Sequence, residues 1–381
     1  MTMPTTPATG GRRRALLTAG AAAATAALAA PFLAARPLRA QGGGGTATTP
    51  FTRLQDGGFI PLPPQVESQR FTASPAPPGP PGRWEARAML PLPRSEMAWG
   101  VAAAGRLHLV GGYGLGRVDR PYHQAYDPAA DAWRDLAPLP LGANHVGVVA
   151  AEGDGRVIYA MGGFTDQNRN PHREAFAYDV AEDRWRAVAP MPRPRGAASL
   201  AVDAEGRVHV FGGADGVRQD ERRSRAWHEV YDPCADRWEA RGDMPGFPLD
   251  HKGVAVVGGR IHLVGGRIDT FATNVAHHRA YDPAADRWES LAPMPTPRSG
   301  HGTALYRGRV FCLGGEETGK VFGQVESYDP ATDRWQSHAP MTTPRHGLGA
   351  ATLGDWVHVA GGGPVVGGGT QSAIHEAFTL G

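Results

Sequence analysis

The chain repeats itself six times, and that constrains its fold more than any other feature. Trp84, Trp133, Trp185, Trp238, Trp288 and Trp335 recur with a period near fifty. Gly-Gly pairs begin at Gly111, Gly162, Gly212, Gly265, Gly314 and Gly361 and interleave with them. A third mark, Tyr-Asp-Pro, starts at Tyr126, Tyr231, Tyr281 and Tyr328, with Tyr178-Asp179-Val180 as a variant. Each Tyr precedes its Trp by seven residues. A regular period of this length belongs to a chain of stacked supersecondary units.

Within a unit the pattern reads as four short strands. His301 to Tyr306 is a first strand, Arg307-Gly308 a turn, and Val310 to Leu313 an apolar second strand ending at Gly314-Gly315. After a variable loop, Val325 to Tyr328 is the third strand. Asp329-Pro330-Ala331-Thr332-Asp333 is a tight turn, and Arg334 to Ser337 is the fourth. Composition agrees: 52 Gly and 34 Pro among 381 residues oppose a helical bundle, while 41% hydrophobic residues oppose disorder. Six four-stranded units predict an all-β, six-bladed propeller. The first repeat supplies only a fourth strand, Trp84-Glu85-Ala86-Arg87, and the last stops after a third, Glu376-Ala377-Phe378-Thr379. The N-terminal strand is therefore expected to join three C-terminal strands and close the ring.

The Gly-Gly, Tyr-Asp-Pro and spaced Trp marks resemble the kelch repeat family over residues 82–381. The resemblance implies the same six-bladed propeller. It leaves function open, because one fold hosts many activities.

Residues 1–40 read as an address. Arg12-Arg13-Arg14-Ala15-Leu16-Leu17 precedes an Ala/Leu stretch, and Leu38-Arg39-Ala40 ends it with a small residue. This is the layout of a signal peptide and resembles the twin-arginine type, so a periplasmic or secreted protein is expected. A membrane link is expected only if the segment stays uncleaved. Residues 41–81, rich in Gly and Pro, are expected to form a linker without periodic strands, with a short docked piece near Phe59-Ile60.

Net charge is +2, but residues 1–40 hold five Arg and no acid. Taking those five from 39 leaves 34 basic against 37 acidic residues, a net −3. Nucleic-acid binding driven by bulk charge is thereby excluded as an expectation. Cys234 and Cys312 lie far apart, outside any zinc or redox spacing, and are expected to be free thiols.

In kelch propellers the ligand face is built by the loop entering the first strand and the loop after the Gly pair. The entering loops carry Arg94; Asn144-His145; Arg193 and Arg195; Asp250-His251; Arg298 and His301; Arg345-His346. An Arg from four of six blades, if turned to the axis, makes a positive funnel for a carboxylate or an acidic peptide. The alternative, that these Arg bond loop carbonyls and hold blades together, stays open. The loops after the Gly pairs differ in every blade, as binding loops do.

No metal or cofactor is expected. His108, His209, His262 and His358 each sit three before a Gly pair, where other blades have Tyr159 or Phe311, so the position reads as filler between blades. Neither the Tyr and His set of the kelch-fold copper oxidases nor the Glu-x3-Asp-x3-His string of the iron-dependent plant specifier proteins is found. Three readings follow. The first is an exported binding module for a protein partner or an acidic carbohydrate. The second is an enzyme resembling the sialic-acid mutarotases, with Glu316 of Gly315-Glu316 as acid/base and Lys320 in place of their Arg. The third is a structural envelope protein.

Overall fold

This computed structural model describes residues 51–53, 59–61 and 82–381, apart from residues 98, 152–154 and 218–220. The expected signal peptide lies outside the described residues. Among those described, no helix is long and apolar enough to cross a membrane.

Six four-stranded antiparallel sheets form the blades. Blade 5 runs Gly302–Tyr306, Arg309–Leu313, Val325–Asp329 and Arg334–His338, pairing in that order. Blades 1 to 4 repeat the order. The sixth sheet pairs Gly349–Leu353, Trp356–Ala360 and His375–Thr379 with Arg83–Ala86. Trp84 faces Phe378 across that last pair, their ring centroids 5.3 Å apart. The first strand of the repeat region therefore closes the ring, as the sequence predicts.

One expectation about residues 41–81 fails: Phe51–Arg53 and Phe59–Pro61 pair as antiparallel strands. The cause is local. Phe51, Thr52, Phe59 and Ile60 favour extended backbone.

The core lies between blades, not within them. Each of six buried clusters joins two neighbours; one gathers Met161, Ala177 and Met191 of blade 2 with Leu200, Val210 and Tyr231 of blade 3. The first and sixth blades meet through Met97, Leu109, Tyr126, Leu353 and Ala360. A blade cannot bury its faces alone, so the ring is stable only as a whole.

The repeated turn clasps each neighbour from outside. In blade 2, Asp179 Oδ1 accepts from the Ala181 and Glu182 amides and shapes the turn. Asp183, left-handed at φ 48°, accepts from the Tyr178 hydroxyl at 2.6 Å and from the Ala137 amide of blade 1 at 2.8 Å. Trp185 Nε1 donates to the carbonyl of the same Ala137 at 2.9 Å. One alanine is thus held at both its N–H and its C=O. The same double hold falls on Ala88, Ala189 and Ala292. The Tyr and Trp marks are therefore parts of a blade-to-blade fastener.

Candidate functional site

The loops entering the first strands converge on the axis. In four blades they contain Arg94, Arg195, Arg298 or Arg345, and the residue two further on is Glu96, Ala197, Gly300 or Gly347. In the other two blades Ala143 and Leu249 replace the Arg, and the matching residues are His145 and His251. All six matching residues are left-handed, with φ between 50° and 62°. Five hydrogen bonds link their backbones in succession about the axis, from Glu96 round to Gly347. His145 N donates to Glu96 O, Ala197 N to His145 O, His251 N to Ala197 O, Gly300 N to His251 O and Gly347 N to Gly300 O, at 2.8 to 3.2 Å. Glu96, His145 and His251 are the ring residues with long side chains.

The expected positive funnel is absent. Arg94, Arg195, Arg298 and Arg345 are fully buried and turn into their own blades. Arg195 meets Glu229 at 2.6 Å, Arg298 meets Glu326 at 2.6 Å, and Arg345 meets Glu376 at 2.7 Å. Arg94 bonds the carbonyls of Gly111 and Tyr122. The third strand supplies each partner from one position, which holds Gln124 in blade 1 and Phe176 and Arg279 in the two blades lacking the Arg. A buried guanidinium needs a paired carboxylate or carbonyls, and the blade provides them. Arg193 adds a second bond to Glu229 and lies over Trp227.

The remaining expected residues divide. Asn144, His145, Asp250, His251, Glu316 and His346 come together around the axis. His301 does not join their network; its Nε2 contacts the Val264 carbonyl at 3.2 Å. Lys320 is separated from Glu316, because in their two-residue hairpin Glu316 pairs with Val321 and Lys320 with Glu317. The cations that Glu316 meets are Arg267, at 3.0 Å, and His346, at 3.4 Å. Arg267 and Glu316 are both the residue after a Gly pair, in adjacent blades, and that equivalence is visible in the sequence.

The axial network is charged and buried. Arg267 Nε reaches Asp250 at 3.0 Å and its Nη2 lies 3.0 Å from His251 Nε2. His251 Nδ1 bonds Asp250, and His145 Nδ1 bonds the Asn144 side-chain oxygen. Glu96 receives His145 Nε2 at 3.0 Å and His346 Nε2 at 2.9 Å. The His346 Nδ1 faces the Gly363 carbonyl at 2.9 Å. Burial opposes charge on Glu96, but His145 and His346 outweigh it and hold the carboxyl well below the usual range. Burial likewise opposes charge on Asp250, and Arg222, His251 and Arg267 overcome it. Burial disfavours the His346 cation, yet Glu316 and Glu96 push its pKa up to about 9. His251 goes the other way, held low by burial and by Arg267 against the pull of Asp250.

The loops after the Gly pairs lean on one another and cover this network. Four of them form two-residue hairpins, and blade 4 has a single 3-10 turn, Phe271–Thr273. Asn144 donates to Asp119 and Tyr113 to Asn168, joining blades 1 and 2. Ser224 bonds Asp250, joining blades 3 and 4. The Gly367 amide of blade 6 donates to Glu316 of blade 5 at 2.8 Å. Beneath the ring is a cavity of about 20 Å³ open to a water-sized particle, lined by Glu96, Trp99, His145, His251 and His301 among others. Trp99 also lines the next space, an apolar channel of about 460 Å³ between the first strands.

The four second-strand histidines fill space between blades, each with a partner the repeat pattern alone did not reveal. His108 pairs with His123, His209 with His228, His262 with His278 and His358 with His375, at 2.9 to 3.0 Å. Each partner opens a third strand; His123, His228 and His278 stand four residues before Asp-Pro, and His375 holds the same place in blade 6, where Thr379 replaces the Asp. Cys234 is exposed, Cys312 is buried, and both are free thiols.

Comparison with known proteins agrees with this architecture. A family model described as the KLHDC2/KLHL20/DRC7 Kelch-repeats domain matches residues 144–362, more than half of the chain. Kelch-like protein 35 of Mus musculus is 32% identical over 168 residues, covering 44% of this chain and 26% of that protein. Kelch-like protein terF of Aspergillus terreus is 26% identical over 201 residues, covering 51% and 43% respectively. The chain thus spans less than half the length of these curated relatives. A solved structure titled "Structure of YjhT" superposes with a TM-score of 0.61 at 15% identity, covering 77% of this chain and 95% of that one, a likeness of fold alone. On the family match and the repeats together, the chain belongs to the kelch-repeat family.

Proposed function

We propose that this protein is an exported binding module that recognises a protein partner with the outer surface of its loop collar. The observation that carries the reading is the sealed axis. The charged residues at the centre bond one another and lie under the collar, so a partner meets the collar's outside. That surface differs from blade to blade and mixes exposed apolar and charged residues, among them Val118, Val217 and Arg169. Variable loops on a rigid ring are a common way to build recognition. Export rests on residues 1–40 and their resemblance to a twin-arginine signal.

The test is affinity capture with the full chain from periplasmic extract and culture filtrate. The reading predicts a partner that binds wild type and Leu305→Asp, a change in the central channel, and is lost with Val118→Asp/Val217→Asp. Equal capture by all three, or by none, contradicts it.

A second reading, an enzyme of the acidic-sugar mutarotase type, is favoured by one contact. Glu316 and Arg267 put a proton-transfer group beside a cation suited to a substrate carboxylate. It requires the Gly367 bond to open, and anomer exchange that vanishes in Glu316→Gln would support it.

A further inference from the structure

Three histidines around the axis share one arrangement. His145, His251 and His346 direct Nδ1 outward to an oxygen, on Asn144, Asp250 and Gly363 respectively, and Nε2 inward. Outer acceptors on Nδ1 fix an imidazole's orientation, the usual arrangement behind a metal-bound histidine. The His251 Nε2 already offers its lone pair, to Arg267, and the His145 Nε2 proton that faces Glu96 is released when an ion binds. A carboxylate stands among them: Glu96 lies within 3.0 Å of both His145 Nε2 and His346 Nε2. Donor atoms of Glu96, His145 and His251 all lie within 4.8 Å of one another, and all three residues are buried.

We propose that Glu96, His145 and His251 bind one divalent first-row transition ion at the propeller axis. Two imidazoles and a carboxylate suit zinc or iron(II) over calcium or magnesium, which prefer oxygen alone. The space fits a single particle. The cavity the three residues line has about 20 Å³ for a water-sized occupant, enough for one water or one ion and too little for a sugar. The donors come from blades 1, 2 and 4, so the ion ties together parts of the ring distant in sequence. It acts as a clamp between buried residues.

The nearby guanidinium has somewhere to go. Arg267 Nη2 shares the His251 Nε2 lone pair, while its other nitrogens already bond Asp250 and Glu316. When a metal takes that lone pair, those two carboxylates keep the arginine compensated. The ring holds the donors in place, because each is a left-handed residue fixed by backbone bonds to its neighbours.

The experiment uses the full chain stripped with chelator and then titrated with Zn2+ and with Co2+. The readouts are metal retained per chain after dialysis, visible Co2+ absorption and the thermal midpoint. One ion per chain is expected, with a Co2+ spectrum of nitrogen and oxygen ligation and a raised midpoint. Glu96→Gln, which keeps side-chain size, and His145→Asn should each lose the spectrum and the midpoint rise. His301→Gln, which lines the same cavity without supplying a donor, should keep both. Unshifted midpoints with no retained metal overturn the proposal. So does equal retention by wild type and a Glu96→Gln chain of unchanged circular dichroism, which places the metal elsewhere.

Discussion

The outer turns and the axial loops both occur once per blade, yet they differ in kind. Outside, the same device repeats. Tyr126, Tyr178, Tyr231, Tyr281 and Tyr328 each donate to an Asp five residues on, at 2.6 to 2.9 Å. At the axis, equivalent positions carry Glu96, His145, Ala197, His251, Gly300 and Gly347, six places with four residue types. Identical chemistry at identical positions is what assembling the ring requires. Chemistry that varies while the backbone stays fixed is what gives this chain properties of its own.

The comparison can be broken at the closure first, where the effect is largest. Deleting the chain through Ala86 removes the fourth strand of blade 6 and leaves its edge open. The expected result is loss of the single cooperative thermal transition, because each core cluster belongs to two blades. A chain that melts cooperatively without Arg83–Ala86 would show that blades are more independent than their shared cores imply.

Acid should unfold the protein through the outer histidine pairs. Burial pushes His108, His262 and His358 down to about 4 and His228, His278 and His375 down to about 3. The unfolded chain takes up these protons near pH 6.5, before the folded chain does. The contribution of these pairs to stability is therefore complete above about pH 6.5 and falls as pH drops toward 4 and 3. Denaturant midpoints measured from pH 7.5 to 4 check the sign; a flat profile contradicts it.

The buried Arg–Glu pairs test whether blades with and without them are two solutions to one problem. Glu326→Ala strands Arg298 and should cost about 3–5 kcal/mol. Changing both, Arg298→Ala with Glu326→Phe, imitates the apolar pair Ala143 and Phe176 of blade 2 and should recover part of that loss. Urea denaturation measures both. The smallest effect belongs to the repeated clasp. Tyr231→Phe removes one hydroxyl bond and should cost about 1 kcal/mol, with a similar value at Tyr178 or Tyr281. A value at one blade far from the others would end the equivalence of the outer turns.

The repeat made the fold legible because its marks are local: a Gly pair, a turn Asp and a Trp each do their work within fifty residues of themselves or their neighbour. Strand order and ring closure followed from them. The axial site was legible in part. Asn144, His145, Asp250, His251, His346 and Glu316 stood out by residue type. Glu96 did not, because its likeness to His145 is one of position, two beyond the place held by Arg94 in one blade and Ala143 in the other. Arg267 was hidden in the same way. The Arg series misled for a physical reason: a loop that approaches the axis need not aim its side chains there, and Glu229, Glu326 and Glu376 draw three of them outward into the blades. The hairpin at Phe51–Arg53 and Phe59–Pro61 was missed because Gly and Pro content masked two short β-forming stretches.

The central claim is that backbone bonds among the entering loops seal the axis, so that recognition happens on the collar above. Amide hydrogen exchange of the full chain tests it most directly, followed at the amides that donate around the ring, those of His145, Ala197, His251, Gly300 and Gly347. The account predicts that they exchange as slowly as the amides of the first strands. Exchange as fast as that of the exposed collar loops would contradict it, because the axis would then open readily to small ligands.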